Sequence, residues 1–405
     1  MVGLKYQPVA KMWSLLVIFI LLMVYNILVD ALPRHQLFYV IGIIYTTIYI
    51  FITILLNHPT YGMDGTNPAT FLGWLTFFAI ESCGSLEITL FWSFVNSVYS
   101  IEGAKKTYGY IIAGSQLGSI LGPMLVANNK HLGGIPSVFA VGSVCPLLAG
   151  AVIFVYMRKY GFSDMANKDV ELVVPSKRGK TGMFEGLLLF VKYPYVAGIF
   201  AILCLFECTS TIMDFEMLTL AREVYTTKEE FAAFCGRCGV FVNVSTLVLS
   251  LGGTTYIFKT FRLKHILIAF PVCVLSTVTA IYIWPILTVS LCGMIFVKAL
   301  NYSVYGPAKE MLYGVTTSDI KFKSKSWIDA FGGRFAKAAG SGLNNAFKSS
   351  TDRLLTYGSI CSISLITILV FVTSIMGTKC EKYQAINFKV GLKKQELTEV
   401  ALTQA

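Results

Sequence analysis

Residues 301–343 place several positive charges within a part of the chain that is otherwise strongly apolar. Lys309 follows a Gly-Pro pair, and Arg334 and Lys337 stand three residues apart among small side chains. A proline kinks a helix and frees backbone groups, and helical residues three apart share one face. Guanidinium and ammonium groups are well suited to phosphate oxygens. These three cations therefore predict a binding site for a phosphate-bearing anion.

Three further ionisable residues, Glu87, Glu207 and Lys298, lie inside long apolar runs. A charge at the centre of a bilayer costs roughly 3 kcal/mol on insertion scales, so each residue must face the bundle interior, a partner or water. One interpretation is an ion pair between helices, such as Glu207 with Lys298, that stabilises packing. The other is a role in substrate binding, in which Glu207, and also Glu87, pair with the substrate-binding cations while the site is empty.

Asn96 adds an uncharged hydrogen-bonding group, which is suited to a sugar or a base or, alternatively, to a polar contact between helices. Positive charge for the phosphates is thus accompanied by acids and an amide that balance or orient the ligand. The predicted substrate-binding residues are Lys309, Arg334, Lys337, Glu207, Asn96, Glu87 and Lys298.

Sequence motifs of the common enzyme classes are missing from the chain. There is no HExxH, GxSxG or GxxxxGK[ST] motif and no acid pair with a plausible nucleophile. Cys235 and Cys238 have the spacing of a redox motif, but buried thiols that pack as small apolar groups are the better interpretation of the ten cysteines. No Cys and His combination completes a zinc site. We therefore expect no enzymatic activity, no metal ion and no cofactor.

Long apolar segments must position these residues, because 55% of the 405 residues are hydrophobic and 14% are charged. Segments of about 20 apolar residues cross the hydrocarbon core as helices. We predict an all-α polytopic membrane protein with a major-facilitator-like, two-bundle fold of about 11 spans, five plus six. The spans are predicted at residues 12–30, 36–56, 70–96, 107–127, 135–157, 193–213, 235–257, 265–284, 286–305, 328–347 and 355–377.

Charge along the loops predicts the orientation and the domain boundaries. Most of the 33 Lys and Arg residues fall in alternate loops and in the C-terminal tail, which places that tail in the cytoplasm. The segment 215–234 is charged and predicts an amphipathic cap outside the membrane. The predicted organisation is an N-terminal bundle at 1–157, a cytoplasmic linker at 158–192, a C-terminal bundle at 193–379 and a cytoplasmic tail at 380–405.

Several motifs resemble the ATP/ADP translocase family of intracellular bacteria and plastids. They are FWSFVNSVYSIEGAKKTYGY (91–110), KEMLY (309–313) and KSKSWIDAFGGRFAKAAGSGL (323–343), and Glu207 in FECTSTIMDFEM falls where the family carries an acid. The resemblance runs along nearly the whole chain in order. It implies a major-facilitator-like fold of two six-helix halves that move by alternating access, and exchange or uptake of nucleotides. It also implies that the family's first helix is missing from this chain.

We therefore expect a secondary membrane transporter that moves nucleotides, by ATP/ADP-type exchange or by nucleotide uptake. Two alternatives stay open: a carrier of another organic or phosphate-bearing anion, and a transport-inactive membrane scaffold that lacks the first helix. The expected partners are a nucleotide or another anionic small molecule and the lipid bilayer, without nucleic acid. The expected location is the cell (inner) membrane.

Overall fold

The computed structural model of the chain describes residues 3–32, 34–63, 70–98, 101–160, 191–317, 320, 328–386 and 388–391. Almost all of these residues are helical, and a helix occupies each of the predicted spans. Nine of the described helices are long and apolar enough to cross a membrane. These observations confirm the predicted polytopic all-α fold. Most of the predicted linker lies outside the described residues, and the predicted domain boundaries remain a prediction.

The chain divides into two compact units, of which the first comprises Met1–Gly179 and Tyr225–Val240. Its helices are α1 Gln7–Ala31, α2 Arg34–Leu56, α3 Thr70–Val98, α4 Ile101–Ala127 and α5 Ile135–Tyr160. Buried aliphatic and aromatic side chains from α1, α2 and α3 form a core. On its other side α2 packs against α5, where the Thr46 hydroxyl donates to the Ser143 carbonyl at 3.1 Å.

The second unit comprises Lys180–Val224 and Phe241–Ala405. Its helices are α6 Pro194–Val224, the end of α7 Lys228–Val248, α8 Thr254–Thr260, α9 Leu263–Ile283, α10 Leu287–Leu300, α11 Gly306–Met311, α12 Gly333–Phe347 and α13 Thr351–Ala385. In the described part of the chain, α6 is the most deeply buried of the membrane-length helices. Since α12 and α13 both pack along it, α6 forms the centre of this unit.

Two membrane-length helices of the second unit contain π-helical turns, in which an extra residue is accommodated within the helix. One turn, Leu249–Gly253, joins α7 to α8, and the other, Asn301–Tyr305, joins α10 to α11. The two turns contact each other. The Thr254 hydroxyl donates to the Ser303 carbonyl at 3.0 Å, so a side chain of the neighbouring helix bonds the backbone of the second turn.

The predicted amphipathic cap over residues 215–234 is wrong for its first part. Instead, α6 continues to Val224, and Phe215, Glu216 and Met217 are buried. Acidic residues at 214 and 216 interrupt the apolar run, so local hydropathy ends the predicted span too early. The helix continues because α13 covers this face and removes it from solvent.

The helices α4 and α12 are not among the nine described helices that are both long and apolar enough to cross a membrane, although the sequence predicts spans at both positions. Together with the π-helical turn Ile328–Gly332 that precedes it, α12 forms a continuous helical segment over residues 328–347, which rises roughly 30 Å and is about as long as the hydrocarbon core. It also carries Arg334, Lys337 and Asn344. The position of α12 therefore depends on its contacts with α6 and α13.

The packing of α12 on α6 is close at Gly340, where an added Cβ would lie 2.6 Å from the Cys208 carbonyl oxygen. We expect Gly340→Ala to force the two backbones apart and to lower stability by about 1–3 kcal/mol. The matched control is Gly342→Ala in the same helix, since an added Cβ there has no neighbour within 4 Å. Thermal unfolding in detergent measures both variants, and equal midpoints would contradict the close contact.

Candidate functional site

Charged and polar side chains on one face of α6 form the centre of the candidate site. Glu207, Thr211 and Asp214 follow the helical repeat, so they share a face of α6. The Thr211 hydroxyl donates to the Glu207 carbonyl at 2.8 Å and is thereby held on its own helix. The two carboxylates are separated by roughly 10 Å along the axis, so each is able to meet a different partner.

Asp214 is paired with Lys298 of α10. The Lys298 Nζ donates to Asp214 Oδ1 at 2.6 Å, a short distance that is typical of a charge-assisted hydrogen bond. Both side chains are about a quarter exposed, at 25% and 24%. The pair therefore links two helices and cancels both charges, while it remains accessible from one side.

Glu207 is paired less tightly, with Lys337 of α12. The Lys337 Nζ lies 3.9 Å from Glu207 Oε2, beyond hydrogen-bonding distance. The Lys337 side chain is 47% exposed and that of Glu207 is 24% exposed. Lys337 is therefore a cation held near an acid but still open to a further anionic partner.

Two contacts fix the position of α12 beside these acids. Gly340 lies against the Cys208 carbonyl, and the Asn344 side-chain amide donates to the Thr211 carbonyl at 3.1 Å. Because Lys337 comes three residues before Gly340, the same packing sets the height of Lys337 opposite Glu207. Backbone contacts between helices thus position this cation.

Tyr302 lies beside the same charged residues, in the π turn that follows α10. It comes four residues after Lys298, and its hydroxyl lies near Lys298, Glu207 and Asp214. The residue as a whole is 58% exposed. We call Glu207, Asp214, Lys298, Tyr302 and Lys337 the α6 charge cluster.

Two predicted cations lie next to this cluster along the chain. Arg334 is the second residue of α12, one turn before Lys337, and its half-buried side chain makes contacts of its own. Lys309 is half-buried in α11, roughly 16 Å beyond Lys298 along the helix. Of the predicted residues, Glu207, Lys298 and Lys337 are thus brought together, whereas Lys309 stands further along the same helical segment.

The remaining predicted residues belong to the first unit. Glu87 lines a cavity of about 550 Å³, together with Tyr49, Cys83 and Asn129 and mostly apolar neighbours. Asn96 belongs to α3, but its side chain lies outside the described part. The structure therefore places Glu87 beside an accessible cavity of its own unit.

Asp214 and Tyr302 were not among the predicted site residues. Each carries a signal in the sequence, because Asp214 is seven residues from Glu207 and Tyr302 is four residues from Lys298. Both spacings return to the same helical face. Within the described residues, no three His, Cys, Asp or Glu side chains are grouped so as to hold a metal ion. The cluster thus combines two acids, two lysines and a tyrosine from α6, α10, α12 and the π turn after α10.

Sequence comparisons identify relatives of the chain. A family model described as "TLC ATP/ADP transporter" matches residues 81–381. The chain is similar to ADP,ATP carrier protein 1 of Chlamydia muridarum, with 23% identity over 98% of this chain and 84% of that protein. It is also similar to the chloroplastic ADP,ATP carrier protein 2 of Arabidopsis thaliana, with 24% identity over 88% of this chain and 64% of that protein.

Two solved structures show the same fold. The nucleoside transporter NupG has a TM-score of 0.53 and 11% identity, covering 92% of this chain and 88% of its own. A D-xylose-proton symporter has a TM-score of 0.58 and 14% identity, covering 91% and 86%. These structural similarities confirm the helical membrane-transporter fold. The match to the family model shows to which family the chain belongs. The chain belongs to the TLC ATP/ADP transporter family.

Proposed function

We propose that the protein is a secondary transporter that moves nucleotides of the ATP/ADP type across a membrane by alternating access. Membership of the family supports a nucleotide substrate, and the relatives described above are named ADP,ATP carriers. The family and these relatives do not favour the two alternatives, a carrier of another anion and a transport-inactive scaffold. For the site, the observation that carries the proposal is the long, exposed contact between Lys337 and Glu207.

Substrate binding in this proposal is an exchange of partners at Lys337. An unpaired charge inside a membrane protein is unfavourable, and partial exposure of the Lys337–Glu207 pair reduces this cost. Glu207 therefore balances Lys337 while the site is empty, and a phosphate group displaces it when the nucleotide enters. The 3.9 Å separation makes this displacement easy, because no short hydrogen bond has to be broken.

The other cluster residues have separate roles. The short Lys298–Asp214 pair holds α10 against α6, and the ring of Tyr302, an exposed residue, offers a surface on which a base can stack. Arg334 and Lys309 supply further positive charge for the remaining phosphates. Proximity of Tyr302 to the three charged residues supports a ligand with an aromatic base at one end and phosphates at the other.

Glu87 and Asn96 of the first unit remain proposed substrate-binding residues. For Glu87, support comes from its place on an accessible cavity of that unit. Asn96 bonds the sugar or the base. We further propose the inner cell membrane as the location, a cytoplasmic C-terminus, and transport driven by opposing nucleotide gradients or by the membrane potential, without a cofactor.

Labelled ATP uptake into liposomes that contain the purified protein tests the function. We expect uptake that saturates with ATP, is accelerated several-fold by ADP inside the vesicles and is inhibited by unlabelled nucleotides. Vesicles without protein are the control. Uptake that does not depend on internal ADP and is not inhibited by any nucleotide would refute the proposal. Inhibition by another anion alone would instead favour a carrier of that anion.

A further inference from the structure

One carboxyl group of the second unit has no role in the site described above. Glu216 of α6 is fully buried, at 0% exposure. Its Oε1 accepts a hydrogen bond from the Ser359 hydroxyl of α13 at 3.4 Å, which is long for such a bond. In the described part of the chain its Oε2 has no hydrogen-bond partner. The group is thus enclosed between two membrane-length helices and bonded weakly through one oxygen.

A space between the helices accommodates this carboxyl group. Gly358 faces it, and an added Cβ at that position would lie 2.5 Å from Glu216 Oε1. One turn from Ser359, the fully buried Ser362 has a hydroxyl without a hydrogen-bond partner among the described residues. On α12, Ser341 and Asn344 also carry buried oxygens that lack a partner there. Among the described residues, buried polar atoms without a hydrogen-bond partner therefore recur where α12 and α13 pack on α6.

The charged residues of the surrounding helices are engaged at other positions. On α10, Lys298 binds Asp214, and on α12, Lys337 faces Glu207. The other charged residues toward this end of the three helices stand at or near the helix ends. They are Arg222 and Glu223 on α6, Lys348 after α12, and Asp352 and Arg353 at the start of α13, and the Glu223 carboxylate accepts a hydrogen bond from Thr351.

An ionised carboxylate in this position is unfavourable, because burial removes its hydration and one weak hydrogen bond does not replace it. A proton on Oε2 removes the charge and supplies an O–H donor. Among the described residues, the Ser359 hydroxyl is the side-chain group within hydrogen-bonding distance of Glu216. A neutral carboxyl group therefore fits the enclosure, and the charged form requires that water or a cation gain access to it.

We propose that Glu216 is a proton-binding site that couples nucleotide transport to proton movement. The O–H bond at Oε2 is intact while α13 covers the group. It breaks when the contact between α6 and α13 opens during the transport cycle, and the proton passes to water without any transfer of electrons. The coupling rests on the proposed function. A proton that travels with ATP would offset the additional negative charge that ATP carries relative to ADP.

Infrared spectroscopy of the purified protein in lipid tests proton binding directly. We expect the carbonyl band of a protonated carboxylic acid at neutral pH, lost in Glu216→Gln and shifted in Glu216→Asp. The matched control is Glu230→Gln, an exposed acid that pairs with Lys130, and it should retain the band. An unchanged band in a folded Glu216→Gln protein would overturn the assignment. Should that variant not fold, an unshifted band in Glu216→Asp would do so.

Transport under an imposed pH gradient tests the coupling. In liposomes with ADP inside and a pH-sensitive dye, we expect wild-type ATP uptake to respond to the gradient and to move protons. Glu216→Gln, which is permanently neutral, should continue exchange but lose both responses. Retention of the wild-type response by Glu216→Gln, or its absence from the wild type, would overturn the coupling. Failure of the wild type to move any nucleotide would refute the proposed function, while the infrared band still decides protonation.

Discussion

Replacing Lys337 by glutamine is expected to lower the rate of nucleotide uptake at low ATP concentration by about 10- to 100-fold. This factor corresponds to roughly 1.4–2.7 kcal/mol, which is the strength of a hydrogen bond to a charged group. The variant removes the cation and also leaves Glu207 without its partner, so the remaining carboxylate repels the phosphate. Initial rates measured in liposomes over a range of ATP concentrations give the effect.

Two further variants make this result specific. Lys130→Gln removes a lysine from an exposed pair with Glu230, and uptake should stay within about twofold of the wild type. Glu207→Gln removes the competitor of the phosphate, so we expect a lower KM together with a lower maximal rate, because no acid displaces the departing phosphate. A wild-type rate in a folded Lys337→Gln protein would exclude Lys337 from the site.

Replacing Lys298 by methionine should lower both stability and uptake. The variant leaves the Asp214 carboxylate without the lysine that donates at 2.6 Å. Since the pair is about a quarter exposed, we expect a loss of about 1–3 kcal/mol, less than for a fully buried pair. Uptake should fall at least tenfold, because α10 and Tyr302 lose their position beside α6. Thermal unfolding in detergent and ATP uptake measure the two effects.

The double variant Lys298→Met with Asp214→Leu separates packing from substrate binding. Two apolar residues of suitable size often replace an ion pair without loss of stability, so the melting temperature should recover. Since Lys298 is also a proposed substrate-binding residue, we expect uptake to remain low. Recovery of both quantities would assign the pair to packing alone, and a wild-type melting temperature in the single variant would show that the pair contributes no stability.

The helices could be predicted from the sequence because apolar segments of this length have few alternatives to spanning a membrane. The end of α6 could not be predicted in this way. Asp214 and Glu216 lower the local hydropathy, and their burial depends on Lys298 and Ser359, which belong to other helices. Tertiary contacts thus decide where this span ends.

Part of the site could be predicted from the sequence because charge inside apolar runs is unfavourable in free energy. This argument identified Glu207 and Lys298 as candidates. The identity of the partners did not follow, because 84 residues separate Asp214 from Lys298. If α10 were shifted by two turns along α6, Lys298 would lie beside Glu207 instead of Asp214. The apolar pattern of a helix fixes which face is buried but leaves this sliding register undetermined.

The π turn at Asn301–Tyr305 also determines the direction in which Lys309 points. Residues 298 and 309 would face within about 20° of each other in an uninterrupted α-helix. Accommodating one extra residue turns the segment after the bulge by about 100° relative to that geometry. Conversion of this turn to α-helical winding, with release of the Ser303 carbonyl from Thr254, would swing Lys309 onto the side of Lys298. The winding of five residues therefore sets how many lysines a ligand meets at once.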